Sequence, residues 1–542
     1  MSDKAIAGIA LYDDLWGKAS NWRNLYQDVA DLEFPRENQI NSMREPGREV
    51  GTDIVDPTGI MASIEMASGL SVNLFPAGQK FYNVLMQDKA LNEIPEVKQA
   101  LGRITEVSHE ARINSNFMLQ ANETLRALSS FGTGNMFSEF IPGVGLNYRD
   151  YDIASYVFTE NDLGRVDGMY IEFPYTARQA FMKWGEDAGE TVIEKMEDPK
   201  TENDSMLFIW IVRPRDKENQ IGDLAVNMPF ESLFLSREDK ELVEESGFTE
   251  FPFQTSRWTK SSGEKWGRGQ GTFALGTLRT LQQERRGLTD SAELHNNPPK
   301  EVLESFEGIV RVKAGDLNHV TELNSIKAID RSLLGNYTIT KDIIEMDRDE
   351  VKKLHFNDVF VQLRDLKGDR RTTIEIRARL AEGLQRLGPP IGRLQEEWLT
   401  PLVERDIGLL ERNGQFGELP PQMQGQKFKI EYVGRLALEL KSAQSVGWVQ
   451  WVAEGAEIEA ATPGIGVLDN VDIDGGYRAR GITLGVSVDD MASEEERKEK
   501  RDARALKEQQ AMELEMARIA GPAYQAATKA PEEGSPAAKL VG

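Results

Sequence analysis

Gly267-Arg268-Gly269-Gln270-Gly271-Thr272 is the stretch of this sequence that most resembles a working site. A glycine-rich turn ahead of a helix can offer its backbone N–H groups to a phosphate. The nearest match to a dinucleotide fingerprint is Gly269-x-Gly271-x-x-Ala274, a weak variant with no clear βαβ unit around it. The stretch is therefore read as a flexible hinge at a helix N-terminus. No GxxxxGK[ST] loop occurs, so the phosphate cradle and lysine of a P-loop motor are missing. The four histidines, His109, His295, His319 and His355, show neither HxH nor HExxH spacing and are read as surface or packing residues. With no cysteine, disulfides, thiolate catalysis and Cys-ligated metals are excluded, and synthesis in a reducing compartment fits. Acidic pairs such as Asp150/Asp152 and Asp472/Asp474 could hold Mg²⁺ for a nuclease, but a chain with 89 acidic residues contains several by chance. The expectation is a protein that is not an enzyme, with no cofactor and no metal.

Composition bounds the class. The 542 residues, 40% hydrophobic and 28% charged, are ordinary for a folded, soluble chain long enough for several domains. No apolar run approaches the roughly 20 residues that span a bilayer. MSDKAIAGIALYDDLW lacks the pattern of a signal peptide. A net charge of −25 argues against a generic nucleic-acid binder, which carries a basic footprint, though not against a protein that lets DNA slide past.

The elements that would position any site are mainly helical. Ile376, Leu380, Leu384, Leu387, Ile391, Leu394, Trp398 and Leu402 form one apolar stripe at spacings of three and four, the repeat of an amphipathic helix. Gly388-Pro389-Pro390 interrupts it, so a bend or break is expected there. Residues 1–48 read as helical with a break near Pro35, and 53–140 as three helices, the last running over 119–140. From 141 to 260, segments such as MYIEFPY, SMLFIWIVRP and SLFLSRE read as strands, with one helix at ARQAFMKWGEDA. A helix over 272–297, stopped by Pro298-Pro299, would be about 39 Å long. IVRVKAGDLNHVTEL is strand-like, and helical periodicity returns over 341–412 with a polar break at LKGDRRT. KFKIEYV then leads as a strand into another helix, and a mixed-charge helix fades into a Pro/Gly/Ala-rich tail. The fold class is α+β, mainly α.

Three segments, in order, resemble the head-to-tail connector, or portal, family of short-tailed, T7-like bacteriophages. The first is Asp53–Leu85, with Ala67-Ser68-Gly69-Leu70, Leu74-Phe75-Pro76 and Phe81-Tyr82. The second is Trp266-Gly267-Arg268-Gly269 with the helix that runs to Asn297-Pro298-Pro299, and the third is LGPPIGRLQEEWLTPLVERDIGLLERNG, ending at Gly414. The third is specific; the first two would be weak alone.

The resemblance implies a ring, typically of twelve subunits, at one capsid vertex of the virion. Double-stranded DNA is packaged and ejected through its central channel. It implies a wing over 1–265 and 374–436, stem helices at 266–297 and 341–365, a clip over 298–340, a tunnel loop over 366–373, a crown over 437–520 and a disordered tail over 521–542. Lys367, Gly368, Asp369, Arg370 and Arg371 would face DNA, Pro298 and Pro299 would bound the clip, and Gly267, Gly269, Gly388, Pro389 and Pro390 would be hinge positions. Implied partners are further copies of the chain, the large terminase subunit, major capsid and scaffolding proteins, and tail adaptor or nozzle proteins, with no membrane. Manufacture in the host bacterial cytoplasm is implied as well. Two rival classes stay open: another oligomeric virion protein, such as a tail adaptor or internal core protein, and the Mg²⁺ nuclease.

Overall fold

The computed structural model describes residues 3–512 except 43–44, 46, 77, 217–219, 221–223, 297–299, 308, 312–316, 321, 323, 329–336, 365–382, 384, 424, 463, 484–490 and 493–495. The chain is mixed α/β, mainly helical, and divides into residues 1–444 and 445–542.

In the first unit, α1 (Asp3–Lys18) and α2 (Ser20–Glu33) separate at Ala19, and α2 stops just before Pro35 as the sequence suggests. α3 (Thr58–Leu74), α4 (Pro95–Ile113) and α5 (Phe117–Ser130) follow, with β1 (Tyr82–Met86) between α3 and α4. The expected helix over 119–140 is corrected: α5 ends at Ser130, and β2 (Thr133–Ile141) begins after Gly132. Gly132 holds a φ of 85°, a left-handed turn that ends the helix and that a β-carbon disfavours.

Two antiparallel sheets follow. β2 lies between β3 (Gly145–Asp150) and β9 (Phe253–Arg257). β4 (Tyr156–Glu160), β5 (Val166–Thr176), β6 (Ser205–Pro214), β7 (Phe230–Ser236) and β8 (Glu241–Phe248) form the second sheet in that order. The short helices α6 (Ala177–Trp184) and α7 (Glu190–Glu197) connect β5 to β6, and Thr176 with Gln179 forms a capping box at the start of α6. α8 (Gln270–Asn296) is followed by a small hairpin of β10 (Lys300–Val302) and β11 (Ile326–Ala328). The strand expected within 309–323 is absent from its described residues; the paired strands flank it.

The helix expected over 341–365 is two helices, α9 (Tyr337–Leu354) and α10 (Asn357–Arg364). Phe356, at φ 57°, turns the chain between them. The stripe helix is α11 (385–394), a π turn at Gln395–Leu399 and α12 (Thr400–Arg412). β12 (Phe428–Tyr432) pairs with β1 and closes the unit across most of its length.

Leu387, Ile391, Leu394, Trp398 and Leu402 all lie buried in one core with Met66, Leu70, Phe75 and Ile104. A second core centres on Tyr26, Phe131, Phe208, Trp210 and Leu235. The break expected at Gly388-Pro389-Pro390 does not occur, because 385–394 is helical through all three residues. Burial of Leu387, Ile391 and Leu394 on either side holds the segment in one helix. The irregularity falls instead at the π turn.

In the second unit, α13 (Arg435–Ala461), which begins in the first, is followed by α14 (Ile473–Thr483) and a helix over 496–512. The Glu459 carboxylate accepts from the backbone N–H of Val467 at 2.8 Å, and Asp474 pairs with Arg501 at 2.6 Å. Among the described residues, no helix is long and apolar enough to cross a membrane.

Candidate functional site: the α8–α9 helix pair and its anchors

α8 and α9 pack antiparallel. Leu281 and Leu288 meet Ile344, while Ala274 and Leu278 meet Val351 nearer the start of α8. At 27 residues, α8 is about 40 Å long. Three anchors hold this pair to the rest of the unit.

The first is a glycine joint. A β-carbon on Gly267 would fall 2.0 Å from the Gly132 carbonyl oxygen, and one on Gly269 would fall 2.5 Å from the Gly132 nitrogen. One on Gly271 would meet Ser130 O at 2.7 Å. Hydrogen bonds enclose the joint. Tyr26 donates its hydroxyl to Gly267 O (2.7 Å), Gly267 N–H donates to Thr133 Oγ1 (2.9 Å), and Gly269 N–H donates to Phe131 O (3.1 Å). The sequence suggests a flexible hinge here. The structure has a packed joint instead, in which the glycines allow two backbone segments to touch and none of the three has a positive φ. No phosphate cradle is open.

The second anchor is a buried charge pair. The Glu33 Oε1 at the end of α2 accepts from Ser130 Oγ and lies 3.0 Å from His355 Nε2. His355 Nδ1 faces Val351 O at 2.8 Å, so both ring nitrogens meet acceptors and the imidazolium fits the site. Burial is the largest influence and works against that charge, but the Glu33 carboxylate and the Val351 carbonyl together outweigh it and raise the His355 pKa. In the amide orientation that satisfies both neighbours, Gln270 also bridges the joint, donating to Leu354 O (3.2 Å) and accepting from Trp258 Nε1 (3.1 Å). Thus the start of α8 and the end of α9 share one support.

The third lies along both helices. Gln282 of α8 donates to Asp56 O (2.7 Å) and accepts from the N–H groups of Val55 and Asp56. Arg348 of α9 donates from Nε to the buried Asp56 Oδ2 at 2.9 Å. Burial opposes the Asp56 charge, yet hydrogen bonds from Thr58 and Arg348 leave its carboxyl below the usual value.

The stripe helix is anchored through the same region. The π turn brings Glu397 onto Arg257, which donates to it from its backbone N–H (3.0 Å), Nε (2.9 Å) and Nη2 (2.8 Å). The same guanidinium donates to Glu160 and to the carbonyls of Gly164 and Lys265, one residue before Trp266. A π turn carries one extra residue, which re-aims a side chain without breaking the helix.

Of the residues singled out in the sequence, Gly267 and Gly269 sit in the joint, and Gly388, Pro389 and Pro390 sit inside α11. Lys367, Gly368, Asp369, Arg370 and Arg371, and likewise Pro298 and Pro299, lie outside the described residues. Of the carboxylates weighed for Mg²⁺, Asp150 accepts from Thr124 Oγ1 at 2.6 Å, and Asp474 is held by Arg497 and Arg501. Burial, with Glu37, Asp152 and Glu123 nearby, pushes the Asp150 carboxyl well above its usual value. Sequence reading missed Glu33, Asp56, Arg257 and Glu397. Glu33 and His355 are 322 residues apart, so no local pattern signals their pairing.

The three segments that carry the resemblance converge here. Gly59 packs against Leu278, Asp56 bonds Gln282, and the Phe75 ring meets Trp398 edge-on at 5.9 Å. Compared with known proteins, residues 7–491 match the family described as bacteriophage head to tail connecting protein. The chain belongs to this family. It is similar to the portal protein of Salmonella phage epsilon15, with 25% identity over 521 residues covering 93% of this chain and 92% of the relative. It is also similar to the probable portal protein of Bordetella phage BPP-1, with 23% identity over 472 residues, 85% of this chain and 84% of the relative. In this connector-family chain the anchored helix pair is thus part of a virion component that joins head to tail.

Proposed function

We infer that this connector-family chain is a portal protein, a structural subunit at the capsid vertex through which phage DNA passes. The observation that carries the reading is the extent of the match. Similarity to the epsilon15 portal protein runs over nearly the whole of both chains rather than over one shared module.

We further propose a ring of about twelve copies, with α8 and α9 as the stem beside a central channel. The length of α8 and the three anchors that hold the α8–α9 pair to the rest of the unit support this, since a channel wall needs a rigid strut. β10 and β11 would belong to the clip, where the terminase motor docks during packaging and the tail proteins dock afterwards. Lys367, Arg370 and Arg371, between α10 and α11 in the chain, would reach the DNA phosphates, with Gly368 and Asp369 completing the loop. The net charge of −25 suits a conduit: each neutralised phosphate adds a salt-dependent binding term, so a mostly acidic wall with few basic residues keeps DNA mobile.

A packaging assay tests the function. Capsids assembled without this chain should take up no DNA, and supplying it during assembly should restore filling. Normal filling in its absence would overturn the reading.

A further inference from the structure

Between the two sheets lies a cleft of about 350 Å³, within the range of small-ligand and side-chain pockets. Its floor is Trp210 on β6 and Phe234 on β7, stacked nearly parallel with centroids 5.1 Å apart. Phe137, Tyr151, Tyr175 and Phe248 supply walls. The lining follows strand alternation: Phe137 with Glu139, Asn147 with Arg149 and Tyr151, and Ser246 with Phe248 stand two residues apart and so share one face. Three strands, β2, β3 and β8, thus commit a facing row to this space without filling it.

The charges at the cleft are unequal in their partners. Glu139 accepts from Asn147 Nδ2 at 2.9 Å, and Glu244 accepts from Trp184 Nε1 at 2.8 Å. Arg149 and Lys183 make no ion pair among the described residues and rest on rings instead. Arg149 lies 5.2 Å from the Tyr151 centroid, and Lys183 Nζ lies 4.0 Å from that of Phe234. Partial burial lowers the Lys183 pKa, with Arg149 acting the same way and Glu244 and Glu139 acting against it. Two cations and two carboxylates leave the cleft without net charge, so a bare anion gains little there. A ligand must bring aromatic surface to the floor and an anionic group to Arg149 and Lys183.

We propose that this cleft is a docking site for a peptide segment of another protein, which inserts an aromatic side chain and sets a neighbouring carboxylate against Arg149 and Lys183. The site lies between the sheets, not on the helix pair, and does not depend on which residues face DNA. Its chemistry favours a peptide because, with Asn147 Nδ2 donating to Glu139 and Ser232 Oγ accepting from Trp210 Nε1, the Asn147 side-chain carbonyl and the Ser246 hydroxyl can meet a peptide backbone beside the aromatic floor.

The test is titration of the full-length protein with N-acetyl-Glu-Phe amide, read by tryptophan fluorescence and checked by calorimetry. Saturable binding is expected, weakened roughly fivefold in Lys183→Gln and in Arg149→Gln, because each cation is solvent-accessible. The same weakening is expected when N-acetyl-Gln-Phe amide replaces the acidic probe, and no saturation is expected with N-acetyl-Glu-Ala amide. Both substitutions lie at exposed positions, and circular dichroism would verify folding. Three results would overturn the proposal: no saturation with the acidic aromatic probe, affinity unchanged in both variants, or tighter binding of deoxyadenosine monophosphate with the same dependence on Lys183. The last would make the cleft a nucleotide site.

Discussion

His355 Nε2 stands 3.0 Å from Glu33 Oε1, and this one contact ties the end of α9 to the end of α2 in the buried interior. The partnership raises the His355 pKa, so protonation and folding favour one another. Its stabilisation is complete below the unfolded value, about 6.5, and is lost as pH rises through the raised folded value. Thermal melting across that window should show stability declining with pH, and His355→Gln should flatten the decline. Glu33→Ala should destabilise by about 3 kcal/mol near neutral pH, since it strands a buried partner.

Asp56 gives the opposite slope. Its folded pKa is depressed, so its contribution is present above the unfolded value and disappears as pH falls through the folded one. Arg348→Gln should therefore remove part of the stability seen at neutral pH and soften the loss on acidification. Equal acid sensitivity of variant and parent in denaturant titrations would contradict this role.

The glycines divide by surroundings. Gly267→Ala and Gly269→Ala each drive a β-carbon into the backbone around Gly132 and should cost about 3 kcal/mol or prevent folding. Gly276 and Gly287, within α8, have nothing within 4 Å of an added β-carbon. Alanine at either should stabilise the isolated subunit by up to about 1 kcal/mol through helix propensity. Chemical denaturation of the four variants separates a packed joint from a freely moving one.

Arg257 and Glu397 should couple strongly. Arg257→Lys keeps the charge but loses the fork that grips both Glu397 oxygens, so it should be clearly destabilising rather than conservative. A double-mutant cycle with Glu397→Gln should return a coupling energy on the order of 1–3 kcal/mol. Independent effects would mean that this contact does not help to hold the stripe helix in place.

Much of this was legible in sequence. The stripe from Leu387 to Leu402 follows from helical periodicity, which burial on one face imposes directly, and the strands at 205–214 and 230–236 follow from their aromatic and β-branched residues, which suit strands buried on both faces. What escaped depended on contacts between distant residues. Gly388-Pro389-Pro390 reads locally as a bend or break, yet the chain over the apolar wall is helical through all three residues, and the irregularity lies at 395–399, where Glu397 meets Arg257. The Gly267–Gly269 stretch reads as freedom because sequence shows the missing side chains but not the Gly132 turn pressed against them. Phe131-Gly132-Thr133-Gly134 did carry the signal that ends α5, hidden by apolar residues on both sides.

The proposed DNA-facing loop makes its own prediction. Arg370→Ala with Arg371→Ala should leave subunit assembly intact while changing how much DNA is packaged or retained, measured by nuclease protection. Unchanged packaging would remove these two residues from the DNA path.

The most direct test of the central claim is electron microscopy of the purified full-length protein, with its mass from light scattering. A portal predicts closed rings with a through-channel and a mass of about twelve subunits. Solid particles without a channel, or a monomer that cleaves DNA with Mg²⁺, would contradict it.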